Sequence, residues 1–174
     1  LVFAPANLKI GDRFSLPEPD RKHLLKVLRL RSGDAVDGSD GKRKLLCRIV
    51  RANSKVELEV SQIDPLEDRR KVSLAIARIE TGGFTSAVSA AAQMAVRNVY
   101  VFGCERASRA PVALDRMRRV ARESAKQVGC PFLPVLSELP VITDLAEIVR
   151  GRPAFLLDPF ASQTLLESFP YELD

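Results

Sequence analysis

The chain has 174 residues, 46% hydrophobic and 28% charged, with a formal net charge of +5 and a pI near 9.4. That length suits one ordinary domain or two small ones, and the apolar content excludes overall disorder. No apolar run approaches the ~20 residues of a membrane span, and a single histidine, His23, argues against a Cys/His metal site. Cys47, Cys104 and Cys130 are scattered and form no CxxC pair, which fits reduced thiols in a cytoplasm. The first residues carry no secretory pattern, and a sequence opening at Leu1 rather than Met reads as trimmed. The mild positive excess is compatible with a polyanionic partner.

Leu1 to Phe14 opens apolar and then carries two turn signals, Pro5-Ala6-Asn7 and Gly11-Asp12. Next comes Asp20 to Asp34, preceded by Pro17, Glu18 and Pro19, a proline and acid pattern that suits a helix start. Leu24, Val27 and Leu28 recur at helical spacing and predict an apolar side, while Lys22, Lys26 and Arg29 recur on another face. Ser32-Gly33-Asp34 ends the segment as a turn. Ala35-Val36-Asp37 reads as a strand and Gly38-Ser39-Asp40-Gly41 as a hairpin loop. In Lys44 to Arg51, Leu45, Cys47 and Ile49 alternate with Leu46, Arg48 and Val50; Val56 to Val60 alternates apolar and acidic residues. Short strands with one helix predict a small β-barrel over residues 1–63.

Residues 64–71, Asp-Pro-Leu-Glu-Asp-Arg-Arg-Lys, read as a linker. Beyond them the pattern changes over residues 72–174. Strands are predicted at Val72–Ala77, Val99–Phe102, Leu133–Leu136 and Ala154–Leu157. Helices are predicted at Phe84–Val96, Leu114–Val128, Ile142–Val149 and Gln163–Phe169, and Gly82-Gly83 reads as a flexible turn. Alternating strands and helices imply a parallel sheet with helices on its faces. The expected fold is therefore a two-domain α+β chain.

The Leu114–Val128 helix should bury Leu114, Met117, Ala121, Ser124, Ala125 and Val128. Arg118, Arg119, Arg122 and Lys126 lie away from that stripe, with Glu123 pairing Arg119 or Gln127. Four cations on the outer side form a plausible phosphate-tracking stripe, against the plainer reading of a solvated surface. Arg106 and Arg109 follow a strand at a carboxyl end of the sheet, where ligands of open α/β sheets bind. His23, in a basic helix, suits an RNA contact or a cap better than catalysis. Asp158, before Pro159, either faces a ligand or caps the next helix.

His23-Leu-Leu-Lys-Val-Leu-Arg-Leu-Arg-Ser-Gly-Asp34, Asp40-Gly41, Glu105-Arg106-Ala-Ser108, Ala121-Arg-Glu-Ser-Ala-Lys-Gln127 and Leu156-Leu-Asp-Pro159 occur in that order along the chain. The series resembles the bacterial methyltransferases, within the SPOUT superfamily, that modify N3 of a uridine in small-subunit (16S) ribosomal RNA. The resemblance implies a PUA-like RNA-binding barrel, an α/β trefoil-knot domain, S-adenosylmethionine as methyl donor, a homodimer and ribosomal RNA as partner, beside the composition's reading of no metal and no membrane. It makes Lys22, His23, Lys26, Arg29, Arg106, Arg118, Arg122 and Lys126 the expected RNA contacts. Leu157, Asp158 and Pro159 become the expected rim of the cofactor site.

The sequence also departs from the family. A Gly-Pro-Glu-Gly-Gly-type turn and a later Leu-Gly stretch, which carry the cofactor loops, do not occur among the 174 residues, so the knot segment is expected to be incomplete. Polar family positions read here as Glu80-Thr81, Thr85, Ser89-Ala90 and Ala92-Gln93, and Cys130 stands where an arginine is expected. Two explanations stay open: part of a longer methyltransferase, or a relative that keeps the scaffold and RNA surface without the chemistry.

Overall fold

A computed structural model describes residues 1–53, 55–105, 111–158 and 160–168. The first half is a five-stranded mixed sheet. Its strands are β1 (Val2–Phe3), β2 (Arg13–Ser15), β3 (Ala35–Ser39), β4 (Arg43–Ala52) and β5 (Val56–Pro65), in the order β1-β3-β4-β5-β2. β1 runs parallel to β3, and the other pairs are antiparallel. The period-two reading holds: Leu45, Cys47 and Ile49 of β4 and Val56, Leu58 and Val60 of β5 are at most 1% exposed. The end strands contribute Val2 and Phe14 to this same core, so the sheet curls to bring its edges to one interior. β5 continues through Pro65, beyond the predicted alternation.

Between β2 and β3 the single predicted helix is two short pieces. Helix α1 (Glu18–Lys22) passes into one π-helical turn over His23–Val27, in which the Leu28 N–H donates to the His23 carbonyl at 3.0 Å. The wider turn breaks the 3.6-residue period. Leu24 is buried, Leu25 and Leu30 pack beside it, and Val27 and Leu28 are 65% and 50% exposed. The expected apolar side of Leu24, Val27 and Leu28 is thus corrected.

The second half is a three-stranded parallel sheet, β6 (Ser73–Ala77), β7 (Asn98–Phe102) and β8 (Val135–Leu139), in that order. Helix α2 (Thr81–Gln93) links β6 to β7, and α3 (Leu114–Gln127) links β7 to β8. Their small buried residues, Ala91, Ala92, Ala121, Ser124 and Ala125, let the two backbones approach over Val99 and Val101. Gly82-Gly83, expected as a loose turn, instead forms the first turn of α2. Val128 leaves the expected stripe as the 53%-exposed residue after α3. α4 (Ile142–Val149) matches its predicted bounds and stops before Gly151 at φ 72°. Ala154–Leu157 enters no ladder among the described residues; Leu156 and Leu157 are 89% and 69% exposed, so an apolar run there does not amount to a strand. α5 (Leu165–Ser168) is a single turn.

The two halves meet through β1. Adjacent strand residues point to opposite faces, and Val2 enters the curled-sheet core while Phe3 enters the α/β core.

Candidate nucleic-acid interface

The basic segment after β2 is positioned by its own ion pairs. Lys22 pairs with Glu18 at 2.6 Å, one helical turn back, and Arg21 lies 3.9 Å from the same carboxylate. The Lys22 hydrogen bond holds the Glu18 carboxyl below its usual range. His23, Lys26 and Arg29 are exposed. Arg29 adopts φ 56°, the left-handed conformation that ends the π-turn and swings the chain toward β3.

On α3 the cations divide. Arg118 pairs with Asp115 at 2.7 Å. Arg118, Arg119 and Arg122 line one side of a shallow recess of about 350 Å³, walled on the other by Leu133, Pro134, Val135 and Leu136. Three guanidinium groups beside an apolar wall suit phosphates with sugar or base packed against them. Arg122 also lies over the Phe3 ring, 5.3 Å from its centroid. Lys126 is different: its side chain is 13% exposed and bonds both Asp20 of α1 and Glu123, the latter at 2.8 Å. Glu123 therefore pairs with Lys126 rather than Arg119 or Gln127. Arg106 and Arg109 lie outside the described residues.

The structure thus joins α1 to the last turn of α3 through Asp20 and Lys126. The Ser39 hydroxyl donates to the Pro131 carbonyl at 2.7 Å across the same junction. Sequence reasoning missed Phe3, Asp20 and Ser39. Asp20 read only as a helix-start acid, and no local pattern marks partners 106 residues apart.

At the carboxyl end of the parallel sheet, Arg78 pairs with Glu138 across the strand ends. The polar residues of α2 that replace family positions turn toward α3. Ser89 and Ser124 share a 2.8 Å hydroxyl bond, Gln93 donates to Gln127 at 3.4 Å, and the Thr85 hydroxyl lies 3.9 Å from the Met117 sulfur while bonding the Thr81 carbonyl of its own helix at 2.7 Å. Cys130 is buried and its thiol faces the Phe132 carbonyl.

Leu157 and Asp158 line a second recess, of about 590 Å³, with Phe155, Leu156, Gln163 and Thr164. Asp158 accepts the Phe160 N–H at 2.9 Å, closing a local turn rather than capping a helix. The cap of α5 is Thr164, in a reciprocal Thr164–Glu167 box: the Glu167 carboxylate accepts the Thr164 N–H at 2.7 Å and the Thr164 hydroxyl accepts the Glu167 N–H at 3.3 Å. Pro159 lies outside the described residues.

Among the described residues no group of three His, Cys, Asp or Glu side chains could hold a metal, and no helix is long and apolar enough to cross a membrane.

Against known structures, the chain is similar to a probable rRNA-methyltransferase from Porphyromonas gingivalis, at TM-score 0.72 and 22% identity over 83% of this chain and 62% of that one. It is similar to a ribosomal RNA small subunit methyltransferase E from Neisseria gonorrhoeae bound to S-adenosyl methionine, at TM-score 0.64 and 23% identity over 81% and 60%. A Legionella pneumophila protein solved with bound SAM matches 97% of this chain and 73% of its own length, at TM-score 0.72 and 18% identity. The chain thus spans about three-fifths of the length of the Porphyromonas and Neisseria proteins. At these identities the likeness establishes the fold. None of the curated proteins matches. The RNA methyltransferase domain model matches residues 66–171, well over half of the chain, and the chain belongs to that family.

Proposed function

We propose that the protein methylates N3 of a uridine in small-subunit ribosomal RNA, with S-adenosylmethionine as donor, as a cytoplasmic homodimer. The observation that carries the reading is the RNA methyltransferase match over residues 66–171 together with the arginine-lined recess on α3 inside that match. In this reading residues 1–63, extended by β5 through Pro65, act as a PUA-like RNA-binding barrel, residues 66–71 are what is left of the expected 64–71 linker, and residues 72–174 act as part of a knotted SPOUT domain. Similarity to two proteins solved with S-adenosylmethionine supports the cofactor.

We read the second recess as one wall of a cofactor site whose Gly-rich loops do not occur among the 174 residues. Phe155, Leu156 and Leu157 offer apolar walls for a nucleoside base, and the Asp158 carboxylate offers an acceptor for hydroxyl or amino groups. Bound there, S-adenosylmethionine supplies an electrophilic methyl group on a sulfonium. The protein's share is to hold the uridine in line and to favour loss of the N3 proton. Arg119 and Arg122 bind and orient the RNA backbone, with Lys26 and Arg29 extending the contact on the first half.

The engagement of Ser89, Ser124, Thr85 and Gln93 in contacts between α2 and α3 favours a second reading, an RNA-binding relative without methyl transfer. One experiment separates them. Small ribosomal subunits lacking N3-methyluridine are incubated with the protein and labelled S-adenosylmethionine, and the nucleosides are analysed by mass spectrometry. N3-methyluridine, reduced at least tenfold by Arg119→Ala/Arg122→Ala, is expected. RNA binding without methylation selects the second reading, and absence of both overturns the RNA assignment.

A further inference from the structure

Asp20 is a carboxylate only 8% exposed, set in a basic segment of the chain. It belongs to the first half, yet it meets Lys126 of α3. Lys126 does not need Asp20 to be neutralised, because Glu123 on its own helix already holds it at 2.8 Å. A buried ion pair adds little net stability, and its best-attested use is to fix one arrangement against others. Here the arrangement is the setting of α1 on α3. Asp20 lies two residues before Lys22 and Lys126 lies one helical turn beyond Arg122, so the pair ties the two basic segments together. The other contacts across this junction are Phe3, buried in the α/β core with Arg122 over its ring, and the Ser39–Pro131 hydrogen bond, and none of them involves α1.

We propose that the Asp20–Lys126 pair is an orientation clamp that sets Lys26 and the α3 arginines on one phosphate path, making Asp20 a positioning residue for RNA binding. The inference rests on the RNA reading above and names a residue of opposite charge to the ligand's usual contacts. Two half-sites held in register bind as one bivalent site, and looseness between them lowers the effective concentration of the second half.

The sign of one substitution separates the clamp from a mere surface charge. Asp20→Asn removes a negative charge from a basic face, so simple attraction would tighten RNA binding. The clamp requires the reverse, a loss of about tenfold in affinity for a small-subunit RNA fragment. In the Asp20→Asn background, Lys26→Ala should cost less than in the wild type, because the first half no longer binds in register. The reversed pair Asp20→Lys/Lys126→Asp should recover most of the affinity, since the introduced ammonium can pair with both the introduced carboxylate and Glu123.

An RNA-free measurement runs beside it: a spin-label distance between Lys55→Cys and Arg116→Cys, in a Cys104→Ser background. It should be narrow in the wild type, broad in Asp20→Asn and narrow again in the reversed pair. Asp20→Asn leaves Lys126 on Glu123, so the fold persists, and the spin-label distance reads the junction itself. Wild-type protein that fails to bind RNA overturns the RNA reading and the positioning role with it. Wild-type binding with Asp20→Asn equal or tighter, or an unbroadened distance, overturns the clamp and leaves the RNA reading standing.

Discussion

Arg70 is the residue whose loss should damage the fold most for its position in an irregular segment. Its Nη1 donates to the carbonyls of Val96 and Leu133, at 3.4 and 3.1 Å. Its Nε and Nη2 hold both oxygens of Asp68, at 2.8 and 3.0 Å. The guanidinium lies 4.5 Å from the Phe132 ring centroid, and the side chain is 12% exposed. It therefore pins the segment after β5 to the loops that lead into β7 and β8. Hydrogen bonds to charged groups contribute about 1.5–3 kcal/mol and a partly desolvated cation–π contact about 1 kcal/mol. Water can reach the vacated carbonyls, so Arg70→Ala should cost about 3 kcal/mol in all. For a chain of this size that lowers Tm by roughly 6–12 °C. Arg70→Lys keeps the charge without the fork and should cost about 2 kcal/mol. A Tm for Arg70→Ala within about 2 °C of the wild type would refute the staple.

The same contact carries a pH signature. The Arg70 hydrogen bond holds the Asp68 carboxyl down at about 2, against a smaller opposing effect of burial. A depressed folded-state pKa stabilises the protein above the unfolded value near ~3.9 and loses that stabilisation as pH falls toward 2. Full linkage for such a shift is about 2.6 kcal/mol. Asp68 is 35% exposed, and solvent screening reduces the expected contribution to about 1 kcal/mol. Chemical denaturation at pH 5 and pH 2.5 should show this loss in the wild type and its absence in Arg70→Ala.

The Ser89–Ser124 pair should show the asymmetry of a buried hydrogen bond: Ser89→Ala alone costs about 1 kcal/mol by stranding the Ser124 hydroxyl, and the double alanine variant recovers most of it. A double variant worse than the sum of the singles in chemical denaturation would contradict this. Thiol labelling at neutral pH should modify Cys104, which is exposed, and spare Cys47 and Cys130, which are buried. Burial, with Asp37 nearby, pushes the Cys47 thiol up to about 11, so it stays protonated and unreactive. Mass spectrometry showing prompt modification of native Cys47 would mean that the curled-sheet core opens readily.

What was legible in the sequence is what local periodicity encodes. Leu45, Cys47 and Ile49 alternate with outward residues, and a strand with one wet face must bury one set. Met117, Ala121, Ser124 and Ala125 recur at helical spacing and are buried. The segment from His23 to Leu30 failed because its period is not fixed locally. Leu24, Leu25 and Leu30 find the curled-sheet core only if the helix widens to a π-turn, and the packing gain decides that. Ala154–Leu157 failed for a related reason. An apolar run predicts a strand only where a ladder receives it, and neither sheet does so among the described residues.

Charge was the least legible property, because a sequence shows cations but not their partners. Lys22, Lys26, Arg118, Arg122 and Lys126 read alike, as one basic face. Folding sorts them. Lys22 and Arg118 pair within their own helices, and Lys126 is drawn inward by Asp20 and Glu123. Lys26 remains exposed, as does Arg122, which lines the recess with Arg119. The formal excess of +5 therefore overstates what any ligand meets at one place and understates how it is arranged. A phosphate chain would meet two short clusters, one on each half. Their spacing is set by a junction whose contacts, Asp20 to Lys126 and Ser39 to Pro131, are 106 and 92 residues apart in sequence. Under the proposed RNA reading, recognition depends on how the halves are fixed as much as on the cations, and those fixing contacts are long-range, with no local period.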